Sequence, residues 1–162
     1  MTKKKKTDDR PYRLGVGIML INDKRRVWVG RRNDMDGDHW QMPQGGIDEG
    51  EEPRAAALRE MKEETGTDKA EIIAEMPDWI TYDLPAYLVG IAFHGKFRGQ
   101  KQKWFLMRFT GHDTDIDLSL HEPEFSDWKW FDLDDITSVI VPFKKPTYEA
   151  VVEGFRALVT KH

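Results

Sequence analysis

Apolar residues fall along the chain in short blocks separated by turn chemistry. Residues 14–21 are almost continuously apolar and rich in Val and Ile, which predicts a strand buried on both faces. Asn22-Asp23-Lys24 reads as a turn, and residues 27–31 resume as a second strand, completing a hairpin. A polar loop over 33–39 contains Asp36-Gly37. A short strand at 40–42 is stopped by Pro43 and Gly45-Gly46. A helix follows, with Pro53 near its start, acidic residues crowding its first turn, and Gly66 just past its end. Ala57, Leu58, Met61 and Thr65 share one side of that helix and form its expected core face. Further strands are predicted at 70–74, 103–110 (the central one) and 127–131, where DWKWF alternates. Residues 79–82 and 87–93 flank a turn at Asp83-Leu84-Pro85. Apolar residues at 151, 152, 155, 158 and 159 make 148–160 an amphipathic closing helix. There are no internal repeats. Strands mixed with a few helices predict an α/β protein, most easily a mixed sheet covered on both faces.

Composition narrows the chemistry. The 162 residues, 39% hydrophobic, suit one domain over 11–162, preceded by a basic tail over 1–10 with too little apolar content to fold. The absence of cysteine excludes disulfides, thiolate metal sites and cysteine nucleophiles. No apolar run approaches the ~20 residues that span a bilayer, so no membrane partner is expected. The KKKK run at 3–6 is not followed by an apolar segment, so a cytoplasmic protein is expected. A net charge of −4 argues against general polyanion binding. A phosphate ligand must then be held locally, by metal ions and a few placed basic side chains. Seven of the seventeen residues from 48 to 64 are Asp or Glu, a density that attracts divalent cations.

Within that stretch Glu60, Glu63 and Glu64 stand at i, i+3 and i+4 and project from one stripe of the predicted helix. Like charges at that spacing destabilise a helix by about 0.2–0.5 kcal/mol per pair, so a purely structural role does not favour them. Three convergent carboxylates do suit a hard cation such as Mg²⁺ or Mn²⁺. A cation so held bridges phosphate oxygens, neutralises transition-state charge and lowers the pKa of bound water. Those are the requirements of pyrophosphate hydrolysis.

The segment 45–67, GGIDEGEEPRAAALREMKEETGT, fills the pattern G-x5-E-x7-R-E-U-x-E-E-x-G-U, with U aliphatic. It departs only at the last position, Thr67. The chain therefore resembles the Nudix hydrolases. The resemblance implies a Nudix fold, an α/β/α sandwich with a mixed β-sheet, and a Mg²⁺ cofactor for which Mn²⁺ can substitute. It makes Glu60, Glu63 and Glu64 metal ligands, with Glu64 nearest the attacking water and Gly45 part of the metal site. Glu51 and Arg59 are expected to pair and orient the helix, and Arg59 stands with the catalytic set on that account. Gly45 and Gly46 let the backbone approach a metal–phosphate cluster.

Outside this segment, Tyr12-Arg13, WQMPQGG at 40–46, Tyr82-Asp83-Leu84-Pro85, GQKQKWF at 99–105, Pro123-Glu124-Phe125 and Phe143-Lys144 resemble one branch of the family. That branch holds bacterial RNA 5′-pyrophosphohydrolases and dinucleoside polyphosphate hydrolases. By this resemblance Glu124 is a further metal ligand or base, whereas Glu122 is expected to be solvated. Arg13, Arg32 and Lys144 are expected to clamp phosphate, ahead of Lys101 and Lys103. Tyr82 and Phe143 are candidates for nucleobase stacking, and Gln102 is placed with them at the substrate. Trp40, Trp104, Trp128 and Trp130 are assigned to packing, and His94 and His112 to the surface.

The expected activity is conversion of a 5′-triphosphate RNA end to a 5′-monophosphate with release of pyrophosphate. The alternative substrate is a dinucleoside polyphosphate, cleaved to give ATP. Cleansing of oxidised nucleoside triphosphates fits less well, and the isopentenyl isomerase branch is disfavoured because its chemistry needs a cysteine. A rival of another class is a catalytically inactive Nudix nucleotide sensor, but such domains usually lose the glutamates that this chain keeps. The 3–6 lysine run is either a weak, salt-sensitive RNA contact or a solubilising arm.

Overall fold

In the computed structural model, which describes residues 9–33, 38–121 and 123–161, two long strands form the centre of a mixed sheet. The 3–6 lysine run, Asp36-Gly37 and Glu122 lie outside these residues. Strand β1 (Tyr12–Ile21) and strand β7 (Gly99–Phe109) run parallel, in register from Tyr12↔Gly99 to Ile21↔Arg108. The other edge of β1 is shared by two antiparallel strands. β2 (Val27–Arg32) meets it at Ile21, and β4 (Gln44–Gly46) meets it at Gly15–Gly17. The far edge of β7 is divided similarly between β5 (Ala70–Glu75) and β6 (Ile80–Asp83). β2 leaves the hairpin at once to pair with β3 (Trp40–Gln41) and β8 (Phe125–Phe131).

Alternation along β1 and β7 builds two cores. Val16, Ile18 and Leu20 join Phe105 and Met107 on one face, under helix α1 (Pro53–Thr65). Met19, Ile21, Trp104 and Leu106 join the other, under α3 (Lys145–Lys161) and the short α2 (Ile136–Val139). The result is the expected α/β/α sandwich. Trp104 occupies the space above Gly17, where a Cβ would fall inside its indole ring. Burying a side chain of that size contributes about 1.5–3 kcal/mol. No helix of the described residues is long and apolar enough to cross a membrane.

Two details of α1 differ from expectation. Its first turn holds no acidic residue, since Glu51 and Glu52 precede it, with Glu52 as an N-cap that makes no side-chain bond. Leu58 is 42% exposed, and Ala56 is buried instead. The helix is rotated so that its buried stripe runs through Ala57, Met61 and Glu64, at i, i+4 and i+7. Glu64 therefore lies on the inward, buried face of the helix. Gly66 ends the helix in the left-handed region (φ 80°), donating its N–H to the Lys62 carbonyl at 2.8 Å.

Residues 87–93 do not pair with β6. They belong to a loop over 84–97 whose ends are clasped by the Leu84 N–H on the Arg98 carbonyl (2.8 Å) and by Arg98 Nη2 on Asp83 Oδ2 (2.8 Å).

Candidate active site

A cavity of about 690 Å³ opens at the end of the sheet where β4, β6 and the N-terminal half of β1 meet. One wall is acidic. Glu60, Glu63 and Glu64 reach it from α1, and Glu124 from the turn before β8. Glu64 is 7% exposed, and its Oε2 accepts the Gln44 N–H at 2.9 Å. Its Oε1 is buried with no hydrogen-bond donor among the described residues. Burial, and then the neighbouring Glu124 carboxylate, push Glu64 well above the usual carboxylate range. Burial likewise moves Glu60 up to about 7, against the opposing pull of Arg59.

Arg59 lies behind this wall and does not line the cavity. It donates from Nε and Nη2 to both Glu51 oxygens (2.9 Å each) and from Nη2 to the Gly46 carbonyl (2.8 Å). Nη1 reaches Glu60 (2.9 Å) and Glu63 (3.3 Å). Glu51 also accepts the Asp48 N–H, and Arg59 holds its carboxyl down at about 2. This one guanidinium ties loop 46–51 to the helix, as the expected Glu51–Arg59 pair requires. Gly45 faces Glu60 so closely that a Cβ there would fall on the Glu60 carboxylate.

The donor set suits a hard divalent cation. All four side chains offer carboxylate oxygens, a buried oxygen of Glu64 lacks a donor, and Gly45 leaves open the space over Glu60. Among the described residues no three Asp, Glu or His side chains form a closed ligand set, and Arg59 bonds both Glu60 and Glu63.

The opposite walls are cationic and aromatic. Arg32 Nη1 donates to Gln41 Oε1 at 3.2 Å, and Lys144, 5% exposed, reaches the same oxygen at 3.4 Å. Lys144 Nζ lies 6.0 Å from the ring centre of Tyr82 and 5.9 Å from that of Phe143. Those two rings pack 5.9 Å apart at 48°. Tyr82 is mostly buried and accepts a hydrogen bond from Gln100, so it backs Phe143 more than it offers a free face. Arg13 lies against Gly46, bonds Gln100 Oε1 at 3.3 Å and sits 4.7 Å from the ring centre of Phe93.

Gln102 does not line the cavity. It is fully buried, donating to Gln44 Oε1 (3.4 Å) and accepting the Trp104 indole N–H (3.3 Å). Gln100, two residues earlier on the same face of β7, takes the cavity position expected of it. Lys101 and Lys103 face elsewhere, toward the Trp79 ring and the Pro77 carbonyl. Trp40 and Trp104 are buried, as assigned, and His94 and His112 are exposed. Gln41, Gln44 and Phe93 also line the cavity, although no motif singles them out.

Residues 11–151 match the family model described as the NUDIX domain. The chain belongs to the Nudix family. The glutamate wall is thus the Nudix segment of 45–67 in its folded form. Among relatives of this Nudix domain, the RNA pyrophosphohydrolase of Rickettsia conorii is 51% identical over 155 residues, 96% of each chain. That of Rickettsia prowazekii is 50% identical over 151 residues, 93% of this chain and 94% of the relative. Among solved structures, a C. elegans Ap4A hydrolase binary complex superposes with a TM-score of 0.69 at 21% identity, covering 93% of this chain and 99% of that one. The E. coli dihydroneopterin triphosphate pyrophosphohydrolase gives 0.65 at 22% identity, covering 88% and 98%. At these identities the structural likeness speaks for the fold alone.

Proposed function

We propose that this Nudix domain is an RNA 5′-pyrophosphohydrolase, converting 5′-triphosphate RNA to 5′-monophosphate RNA with release of pyrophosphate. The observation that carries the reading is one cavity with an acidic wall facing a wall of Arg13, Arg32, Lys144 and Phe143. A polyphosphate needs both: carboxylates to hold its counter-ions and cations to grip its oxygens. The 51% identity to an RNA pyrophosphohydrolase over 96% of both chains supports the RNA end as substrate.

Glu60, Glu63 and Glu64, with Glu124 and the backbone at Gly45, would hold Mg²⁺, or Mn²⁺ in its place. Bound there, the cation would neutralise phosphate charge and acidify water. Arg13, Arg32 and Lys144 hold the phosphate chain, and Phe143 presents an aromatic face to a nucleobase. Glu64, the most buried of the carboxylates, would accept the proton of the attacking water when a bound cation keeps it ionised. That water attacks the phosphorus nearest the RNA, and the P–O bond to the leaving pyrophosphate breaks. Acting on RNA ends, the protein would work in the cytoplasm.

A dinucleoside polyphosphate also presents a nucleoside on a phosphate chain, so the same acidic and cationic lining admits it as second reading. The test is kcat/KM with Mg²⁺ on a short 5′-triphosphate RNA and on diadenosine tetraphosphate. A preference for RNA, yielding a monophosphate end, is expected. Preference for the dinucleotide with RNA left intact would sink the RNA reading. Glu64→Gln is expected to lower kcat at least about a thousandfold. Absence of turnover on either substrate would instead favour a nucleotide sensor.

A further inference from the structure

The loop over 84–97 carries two adjacent non-glycine residues in the left-handed region, Phe93 (φ 54°, ψ 38°) and His94 (φ 57°, ψ 25°). An aromatic residue takes that conformation only where its surroundings enforce it, and such outliers gather at functional sites. The loop is built to enforce it. Its ends are clasped by Asp83 and Arg98, and inside it Leu88 N–H bonds the Pro85 carbonyl (2.9 Å) and Ile91 N–H the Leu88 carbonyl (3.0 Å). The outer side chains, Tyr87 and Ile91, are 67% and 72% exposed, while Leu88, Ala92 and Phe93 turn inward and line the active-site cavity.

What the strained turn delivers is the Phe93 ring onto Arg13, with the guanidinium carbon 4.7 Å from the ring centre. The same guanidinium lies against Gly46, where any Cβ would collide with it. Arg13 thus touches both a backbone and a ring. Its one hydrogen bond among the described residues is to Gln100, at 3.3 Å. Four of its five N–H donors are left for a ligand, beside a glutamate wall suited to a cation. Phe97 meets Phe93 edge-on at 6.3 Å and props it from behind.

We infer that Phe93 is a positioning residue for the substrate's phosphate chain: the 84–97 loop holds its ring on Arg13 and so aims the guanidinium at the anion. The inference rests on the polyphosphate reading of the cavity but not on RNA as the substrate. An arginine on a flexible stem loses rotamer freedom when it grips an anion, and a ring that pre-orders it lowers that cost. The effect belongs in ligand affinity rather than in the chemical step.

The probe is inorganic tripolyphosphate, titrated calorimetrically with Mg²⁺ in a Glu64→Gln background so that it is not consumed. Phe93→Leu keeps apolar bulk but removes the ring quadrupole, and is expected to weaken binding roughly fivefold to tenfold, the scale of a partly desolvated cation–π contact. Phe93→Trp keeps the quadrupole and should bind within about twofold of the parent. In an Arg13→Ala background, Phe93→Leu should cause no further loss. With active protein, Phe93→Leu should raise KM by a similar factor and leave kcat within about threefold. Parent-like binding by Phe93→Leu would overturn the inference. So would equal loss in Phe93→Leu and Phe93→Trp, full additivity with Arg13→Ala, or no tripolyphosphate binding by the parent. Intact tripolyphosphate binding without RNA turnover would overturn the RNA reading alone.

Discussion

The two walls of the cavity are built in opposite ways. The acidic wall comes largely from one stretch of chain, 45–64, in which β4, a loop and α1 are stapled by Arg59 through Glu51, Gly46, Glu60 and Glu63. The cationic and aromatic wall is assembled from the start of β1, the end of β2, β6, the 84–97 loop and the 141–144 turn. Its members meet only after the sheet has formed. A continuous stretch with regular spacing leaves a pattern in sequence, whereas a wall of five pieces leaves isolated residues. Under the proposed function, the first wall would serve any polyphosphate, and the choice among substrates would fall to the second.

The hardest test of this division is Gly45→Ala. The new Cβ would land on the Glu60 carboxylate. A carboxylate at the end of a side chain can swing aside, so the fold should survive and the ligand position should not. We expect the melting temperature to change little and kcat/KM to fall roughly hundredfold, with half-saturation by Mg²⁺ moved upward. A Mg²⁺ titration of the rate beside a thermal melt measures both. A large drop in melting temperature, with metal dependence unchanged, would mean that Gly45 serves packing and that the acidic wall is less closely tied to the metal.

Arg59→Lys tests the staple. A lysine ammonium cannot make the bidentate pair with Glu51 while also reaching Gly46 and Glu60. We expect kcat/KM to fall about tenfold to twentyfold, as for loss of a group that orients ligands without binding substrate. Stability should respond with a definite sign. Glu51 is held at about 2, below its ordinary 4.5, so its contribution is present above 4.5 and is lost as pH falls toward 2. The gap in melting temperature between wild type and Arg59→Lys should therefore be widest at pH 5 and above and narrow by pH 3. A gap that stays constant over this range would show that the pair with Glu51 is not what the variant loses.

The same division explains what could be read before folding. The two central strands, both long helices and a mixed sheet covered on both faces follow from apolar spacing, the Nudix sandwich from the family resemblance, and Glu60, Glu63 and Glu64 from a local motif. Leu58 was misplaced because helical spacing names a stripe but not its rotation against the sheet. Only the packing of Ala56 and Met61 under β1 and β7 sets that. Gln102 was misplaced because Gln100 and Gln102 share a face of β7. The choice between them depends on where the cavity ends, a fact of the assembled sheet. Phe93 had no signal at all. In sequence it is one aromatic in an irregular segment, and its meaning lies in a backbone conformation and in a contact with Arg13, eighty positions earlier.

The smallest effect expected is also the most discriminating between the walls. Phe143 lines the cavity with Tyr82 packed behind it and Lys144 beside it, so its exposed face is available to a base. Removing the ring as Phe143→Ala should raise KM for triphosphate RNA about fivefold, the lower end of what one stacked base contributes, and leave kcat near its wild-type value. Binding of inorganic tripolyphosphate, which has no base, should be unaffected. Phe93→Leu should weaken both ligands. The two aromatics would then divide the substrate between them, Phe143 answering to the nucleobase and Phe93, through Arg13, to the phosphates. If Phe143→Ala weakened tripolyphosphate as much as RNA, its ring would be acting through Lys144. The aromatic wall would then hold phosphate on both sides and leave base selection to residues outside it.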